Sequence, residues 1–344
     1  MYKRANPARH AIMTDPDWNP EKLLRTSGIY WQSCALQAGV KLDIFTAIGK
    51  ERLTESEVAG KIGGDPRGVG MLLNALVAMK LLVKTGGRYG NTPFGLSRLA
   101  KNSPDYLGWI ILHHHYLMES WARLDRAVKT GRPLRSRSSL SGAKRRESFL
   151  MGMFNIAMRV APLVVDAVDL KKSRRLLDLG GGPGTYAIHF CLANPRLRAT
   201  VYDLPETRPF ADRTIRKFGL AGRVDFQAGN YLKDRIRGTY DVVLLSQILH
   251  GEGPKDCGKI IRKAVSSLEK GGRIIVHEFI LNDSMDGPLH SALFSLNMLL
   301  GTPSGQAYSE EQIMNMLTKA RVKDIRRIPI ETPNHSGIII GSAS

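Results

Sequence analysis

The sequence predicts an α/β protein, a doubly wound and mostly parallel sheet preceded by a mainly helical domain. Three observations carry that reading. From about residue 174, five short apolar runs alternate with amphipathic stretches: RRLLDLG, RATVYDL, RVDFQAG, YDVVLLS and GRIIVHEFIL. Each run is followed by a helix candidate, the alternation of a parallel sheet covered on both faces. The first run passes into LLDLGGGPGTYAIHF (Leu176 to Phe190), four glycines between two apolar segments. Residues 22–100 have a different texture, short helical patterns closed by a hairpin.

In SCALQAGVKLDIFTAI (Ser33 to Ile48), Leu36, Val40, Ile44 and Ile48 recur at intervals of four, which predicts one apolar helix face. In LTESEVAGKIG, Thr54 is placed to N-cap a helix and Glu57 to complete a capping box. GGDPRG leads into the apolar helix VGMLLNALVAMKLLV, and GGRYGNT then joins two extended runs. Helix, turn, helix and a hairpin ending at Thr92 outline a winged helix. Its apolar faces exceed what a small module buries alone, so residues 1–100 are expected to build a dimer interface. YLGWIILHHHYLMESWARLDRAV reads as one connecting helix. The basic run from Arg123 to Glu147 reads as a solvated connector. The expected divisions are 1–105 for the dimerisation domain, 106–165 for a helical connector that contributes to the substrate pocket, and 166–344 for the ligand-binding sheet.

The chain has 344 residues, 43% of them hydrophobic, enough for two domains with a sizeable core. No run of about 18 uncharged apolar residues occurs, and MYKRANPARHAIMTD lacks the apolar centre of a signal peptide. Cys34, Cys191 and Cys257 are far apart with no CxxC pair, which argues against a disulfide scaffold or a thiolate zinc site and suits the cytoplasm. The net charge of +19 fits nucleic acid, an anionic surface or an acidic substrate without choosing among them.

The glycine segment is the first strand-to-helix turn, where backbone must approach a ligand. No Gly-Lys-Ser/Thr closes it, so it is not a P-loop. Thr185 stands where a dinucleotide fingerprint wants glycine or alanine, and Asp178 would repel a pyrophosphate. That carboxylate could organise the turn and meet a cation; S-adenosylmethionine offers an ammonium and a sulfonium. Asp203 ends the second strand, where an acid can accept both ribose hydroxyls. His250 ends VVLLSQIL at the same edge. An imidazole, with an unperturbed pKa near 6.5, can take a hydroxyl proton near neutrality. Glu278, ending the next strand, could fix the ring's tautomer.

At these residues the sequence resembles the S-adenosylmethionine-dependent O-methyltransferases of small molecules, the caffeate and acetylserotonin type. The matching pieces are ALQAGVKLDIFTAI, AVKTGRP, FNIAM (Phe154 to Met158), LLDLGGGPG, VYDLPET, AGNYL, LSQILH and HEFIL. The resemblance implies a class I methyltransferase domain with a Rossmann-like sheet, and a winged-helix part that dimerises rather than binding DNA. It implies that Gly180, Gly182, Asp203 and Leu204 hold the cofactor's methionine and ribose. Asn230 and Tyr231 would flank its adenine, and Ser246 of LSQILH belongs to the same cofactor set. The base would be His250, supported by Glu278. Three departures stand out: Asn230 replaces an acid, Ala307 stands at the match to a second glutamate of the plant enzymes, and HGEG replaces HDW.

The acceptor pocket is expected to draw on Asn155 and Met158 of FNIAM, on Asn297 and Met298, and on His115 with Trp109, Tyr116 and Trp121. Met151, Met153, Met158 and Met298 would give a soft wall. The triplet His113-His114-His115 is not a metal site, since adjacent helical residues face different ways. A metabolite-sensing DNA-binding regulator is the other function class. Its recognition helix would need exposed polar side chains, whereas VGMLLNALVAMKLL offers only Asn74 and Lys80. Methylation at carbon or nitrogen stays open on the same fold.

Overall fold

The computed structural model describes residues 18–140 and 142–343. The opening segment MYKRANPARHAIMTD lies outside them. The chain divides into two compact units, at Pro104 and Asp105.

The first unit holds α1 (Pro20–Gly28), α2 (Tyr30–Lys41), α3 (Ile44–Ile48), α4 (Glu55–Ile62), α5 (Pro66–Ala78), β1 (Leu82–Thr85), β2 (Arg88–Asn91) and α6 (Pro93–Leu99). The expected helix over Ser33 to Ile48 is two helices. Asp43 adopts a left-handed φ of +58° between them, a conformation that Asp tolerates better than most residues. The capping box forms as read: Glu57 N–H donates to Thr54 Oγ1 at 3.2 Å and Thr54 N–H to Glu57 Oε2 at 2.6 Å. Gly86 and Gly87, at φ +55° and +73°, make the two-residue turn that joins β1 to β2 with matching twist.

The fourfold apolar face does not lie free for a partner. Val40, Ile44, Ile48, Leu73 and Leu76 are buried, with Leu76 and Phe45 against Gly39. Periodicity finds an apolar face but not what covers it, and here α3, α4 and α5 do. The exposed apolar residues lie elsewhere. α1 and the start of α2 carry Leu24 (72% exposed) and Trp31 (69% exposed), with Leu23, Ile29 and Tyr30 also exposed.

The second unit opens with α7 (Gly108–Trp121), α8 (Leu124–Thr130) and α9 (Ala143–Ala167). The expected single connecting helix is therefore broken. Arg123 N–H bonds to Ser120 O, a tightened i to i+3 contact that ends α7. α9 has the length and composition of a membrane span, yet half of its apolar stretch is buried, with Val160, Ala161 and Val164 in the core.

Then follow β3 (Arg175–Leu179), α10 (Thr185–Ala193), β4 (Arg198–Asp203), α11 (Arg208–Lys217), β5 (Val224–Ala228), β6 (Tyr240–Ser246), α12 (Pro254–Ser266), β7 (Leu268–Glu278), β8 (Ile280–Leu281), α13 (Leu289–Gly301), β9 (Tyr308–Ser309), α14 (Glu310–Lys319), β10 (Val322–Ile328) and β11 (Gly337–Ala343). Seven strands form one sheet in the order β10-β11-β7-β6-β3-β4-β5. β5, β4, β3, β6 and β7 are parallel, while β11 pairs antiparallel with both β7 and β10. Alternate residues enter opposite cores. Leu176, Val242 and Leu244 face α9 and α10, whereas Leu177, Val243 and Leu245 join the cluster containing Ile260, Ile261 and Ile313. The expected helix after β5 is absent: the chain from Gly229 to β6 holds only turns, and Asn230 caps them.

Candidate active site

β3, β4, β6 and β7 end on one edge. The strand order reverses at β3, between β4 and β6, which opens the crevice where doubly wound sheets take ligands. After β3 the chain turns through Gly180, Gly182 and Gly184 at φ +70°, +56° and +77°, a left-handed path that other residues resist. Asp178 lies beneath this turn. A Cβ on Gly181 would sit 2.6 Å from its carboxyl carbon, so only glycine lets the turn close over it. The carboxylate is fully buried. Its Oδ2 accepts from Ala187 N–H at 3.3 Å, and burial pushes its pKa up to about 7.

Asp203 ties the next strand to the same turn. Its Oδ2 accepts from Gly182 N–H at 2.8 Å, and its Oδ1 from Leu204 N–H at 2.6 Å and Thr207 Oγ1 at 3.1 Å. Burial raises its pKa while these bonds pull it down. Gly180 N–H donates to Tyr202 O. Gly180, Gly182, Asp203 and Leu204 thus form one rigid corner.

Buried polar atoms without a hydrogen-bond partner gather along this edge: Asp178 Oδ1, Thr185 Oγ1, Tyr202 OH, Gln227 Oε1 and Gln247 Nε2. They sit on or just beyond the ends of β3, β4, β5 and β6. Each such atom costs about 1–3 kcal/mol if nothing meets it. A ligand that both donates and accepts along its length would satisfy them, and S-adenosylmethionine carries such groups in its ammonium, carboxylate, ribose and adenine. The space beside Gly182 is open as well, with no atom within 4 Å of where its Cβ would be. The residues present fit that cofactor.

Of the two residues expected beside adenine, Asn230 accepts through Oδ1 from Leu232 N–H at 2.9 Å and Lys233 N–H at 3.3 Å, so its oxygen is used in capping the turn. Tyr231 OH donates to Glu252 Oε1 at 3.0 Å. Ser246 Oγ lies 2.9 Å from His277 Nδ1, whose other nitrogen meets Ser336 Oγ at 2.7 Å. Burial holds the His277 pKa down at about 4, which keeps the ring neutral.

Gln247, at φ +55°, bends the chain after β6 and leads into His250. His250 Nδ1 lies 2.7 Å from Glu278 Oε2, at the end of β7. Glu278 is 2% exposed, and its Oε1 also accepts Leu249 N–H at 2.8 Å. A carboxylate only accepts, so Nδ1 carries the proton and Nε2 offers a lone pair. Phe294 meets the imidazole edge-on at 4.7 Å between centroids, and Phe279 stacks at 6.1 Å.

The other acceptor-side candidates are placed as follows. Asn155 Nδ2 donates to Tyr106 O at 2.9 Å, and Met158 Sδ lies 3.4 Å from His189 Nε2. Met151 and Met298 are buried. The His115 ring packs against Tyr116 at 5.6 Å, and Trp109 against Tyr106 at 5.7 Å. Asn297 lies on α13 with Phe294, but its Oδ1 accepts from Arg135 Nη2 at 2.9 Å. Ala307 is fully buried.

Sequence reasoning missed Phe279, Phe294 and a latch behind His250. Arg137 donates to both oxygens of Glu252, at 2.6 and 2.9 Å, and to Gly251 O. At this point the basic run is not a solvated connector: Arg135 and Arg137 dock on α13 and on the His250 turn. The unusual acid of HGEG was the available signal.

Comparison with known proteins identifies the family and the fold. The O-methyltransferase domain family matches residues 129–322, and the O-methyltransferase dimerisation domain matches residues 24–100. A 3-hydroxy-5-methyl-1-naphthoate 3-O-methyltransferase of Streptomyces sahachiroi is 32% identical over 90% of this chain and 92% of its own. The tetracenomycin polyketide synthesis 8-O-methyl transferase TcmO of Streptomyces glaucescens is 30% identical, over 92% and 95%. The structure of human N-acetylserotonin methyltransferase in complex with S-adenosylmethionine is 25% identical and covers 96% of this chain and 100% of its own, with a TM-score of 0.82. The chain belongs to the S-adenosylmethionine-dependent O-methyltransferase family. S-adenosylmethionine is its cofactor, and its N-terminal unit is the dimerisation domain of that family.

Proposed function

We propose that the enzyme methylates a hydroxyl of a small aromatic molecule with His250 as general base. The observation that carries this is the His250–Glu278 pair at the carboxyl edge of the sheet, flanked by two phenyl rings. Bound S-adenosylmethionine supplies an electrophilic methyl group. Glu278 holds the imidazole through Nδ1, which leaves Nε2 to take the acceptor's hydroxyl proton, and its charge offsets the imidazolium that forms. Phe279 and Phe294 exclude water from that proton and offer faces to an aromatic ring. The corner of Gly180, Gly182, Asp203 and Leu204 fixes the cofactor, so rate comes chiefly from position. The named aromatic acceptors of the relatives support the same substrate class.

The working form is a homodimer joined through α1 and α2, whose exposed apolar side chains need a cover. The three free thiols fit residence in the cytoplasm. The test is incubation with S-adenosylmethionine and a panel of phenols, with products read by mass spectrometry. A gain of one methyl on oxygen, lost in His250→Ala, is expected; methylation confined to carbon or nitrogen would overturn the reading.

A further inference from the structure

His277 is fully buried near the end of β7, and the pair of His250 and Glu278 does not use it. Both of its ring nitrogens are engaged. Nδ1 lies 2.9 Å from Ser246 Oγ at the end of β6, and Nε2 lies 2.7 Å from Ser336 Oγ, between β10 and β11. Tyr186 packs its ring edge-on against the imidazole at 5.4 Å between centroids. Held at both nitrogens and by that ring, the imidazole has one orientation.

The far end of this chain sets its proton order. Ser336 has one hydroxyl proton and donates it to Asn334 Oδ1 at 2.8 Å. Thr332 Oγ1 spends its own proton on Ser336 O at 3.0 Å. Ser336 Oγ therefore accepts from His277 Nε2–H. The ring is neutral, because burial holds its pKa down at about 4, so Nδ1 keeps a bare lone pair. Ser246 must then donate to Nδ1. The Tyr186 hydroxyl, which also bonds to Ser246, donates to it in turn. Ser246 is only half-buried, and what its oxygen still presents at the crevice edge is a lone pair.

Position along the edge says which part of the cofactor this oxygen meets. Asp203 ends β4 on one side of β3, and Ser246 ends β6 on the other. With the ribose at Asp203, the methionine end of S-adenosylmethionine reaches toward β6. Of the two charged groups at that end only the ammonium donates, so a lone-pair acceptor suits it alone.

We propose that His277 is a positioning residue for the cofactor: it draws the Ser246 proton to Nδ1 and leaves Ser246 Oγ to accept from the methionine ammonium. The proposal rests on the cofactor lying along this edge with its ribose at Asp203. It is independent of His250 being the base.

The test is calorimetry on the full-length protein with S-adenosylhomocysteine and its deamino analogue, which keeps the carboxylate, ribose and adenine. Ser246→Ala should weaken S-adenosylhomocysteine about tenfold, the scale of one hydrogen bond to a charged group, and leave the analogue within about twofold. His277→Leu should do the same. The double variant should be no weaker than either single one, because the same contact is lost in all three. His277→Asn, whose amide oxygen can stand where Nδ1 does, should recover part of the loss, and it tests the chain even where His277→Leu folds poorly. Imidazole nitrogen NMR should show His277 protonated at Nε2 and bare at Nδ1. The opposite tautomer, equal weakening of both probes, or additive losses in the double variant would overturn the proposal. Asp203→Ala separates the two readings: it should weaken both probes alike, since both carry the ribose. Unchanged affinity for both would take the cofactor off this edge and the proposal with it. A loss for both, beside no selective loss in the Ser246 and His277 variants, would end the role of His277 alone.

Discussion

His250 Nδ1 lies 2.7 Å from Glu278 Oε2, and the other carboxylate oxygen holds the backbone N–H of Leu249 at 2.8 Å. One buried acid therefore fixes both the ring and the turn that carries it. His250→Ala should lower turnover by about 10²–10⁴-fold, the range for a lost general base, with S-adenosylmethionine affinity nearly intact. Glu278→Gln should cost less, since an amide oxygen still orients the ring but cannot offset its charge. Steady-state kinetics beside calorimetry decides: full turnover in His250→Ala would mean that no base is required.

Asp203 spends both oxygens on Gly182, Leu204 and Thr207, so it shapes the corner that the proposed ribose contact would use. Asp203→Ala should weaken S-adenosylmethionine binding by about 2–4 kcal/mol, on the scale of paired bonds to a charged group. Because the corner loosens as well, the melting temperature without ligand should also fall. Unchanged affinity by calorimetry would remove Asp203 from the cofactor site.

Asp178 gives a pH signature. Its folded pKa is raised to about 7, so the folded state holds this proton more tightly than the unfolded chain does. Its contribution therefore favours folding in acid and fades as pH rises from about 4, the unfolded carboxyl value, to about 7. His277, lowered to about 4, works the other way over the window up to its unfolded value. The informative quantity is thus the difference between wild type and Asp178→Asn. Without ligand, the variant should gain stability relative to the wild type as pH rises from 5 to 7.5. Parallel melting curves across that range would contradict the raised pKa.

Much of this was legible in the sequence because local rules sufficed. The five parallel strands, the Thr54–Glu57 box and the Gly86–Gly87 turn each follow from a short pattern, while the His250–Glu278 pair, 28 residues apart, follows from two strand ends on one edge and the family resemblance. The misses have physical causes. β10 reads VKDIRRI, too charged for an apolar pattern, because it is an edge strand with one face wet. The break at Asp43 leaves the fourfold spacing intact, since α3 resumes the same apolar face. Arg137 and Glu252 are 115 residues apart, beyond any local signal.

The dimer prediction moves to α1 and α2. None of α1 is buried, and Leu24 and Trp31 are among the most exposed large apolar side chains. Trp31→Asp should put a charge at an apolar contact and shift sedimentation from dimer to monomer, while the fold of the first unit, centred on Ile44 and Leu73, survives. A wild-type monomer at micromolar concentration, or a variant that remains dimeric, would place the interface elsewhere.

Arg137 and Glu252 tie three parts of the site together. Glu252 is buried; it accepts from Arg137 and from Tyr231 OH, and its backbone oxygen accepts Tyr308 OH at 2.5 Å. Arg137 also donates to Gly251 O, beside His250. The acid of HGEG thus joins Tyr231 to the turn bearing His250, through an arginine from the segment between α8 and α9. Removing Arg137 leaves the Glu252 carboxylate buried without its ion-pair partner, which costs more than losing an exposed pair would. Glu252→Gln keeps the shape but breaks the ion pair. It should lower kcat about tenfold or more through misplaced His250, and raise the S-adenosylmethionine KM through a freed Tyr231. Arg137→Lys should recover only part, because an ammonium cannot span both carboxylate oxygens. A Glu252→Gln enzyme that loses stability while kcat and KM stay at wild-type values would make the latch purely structural.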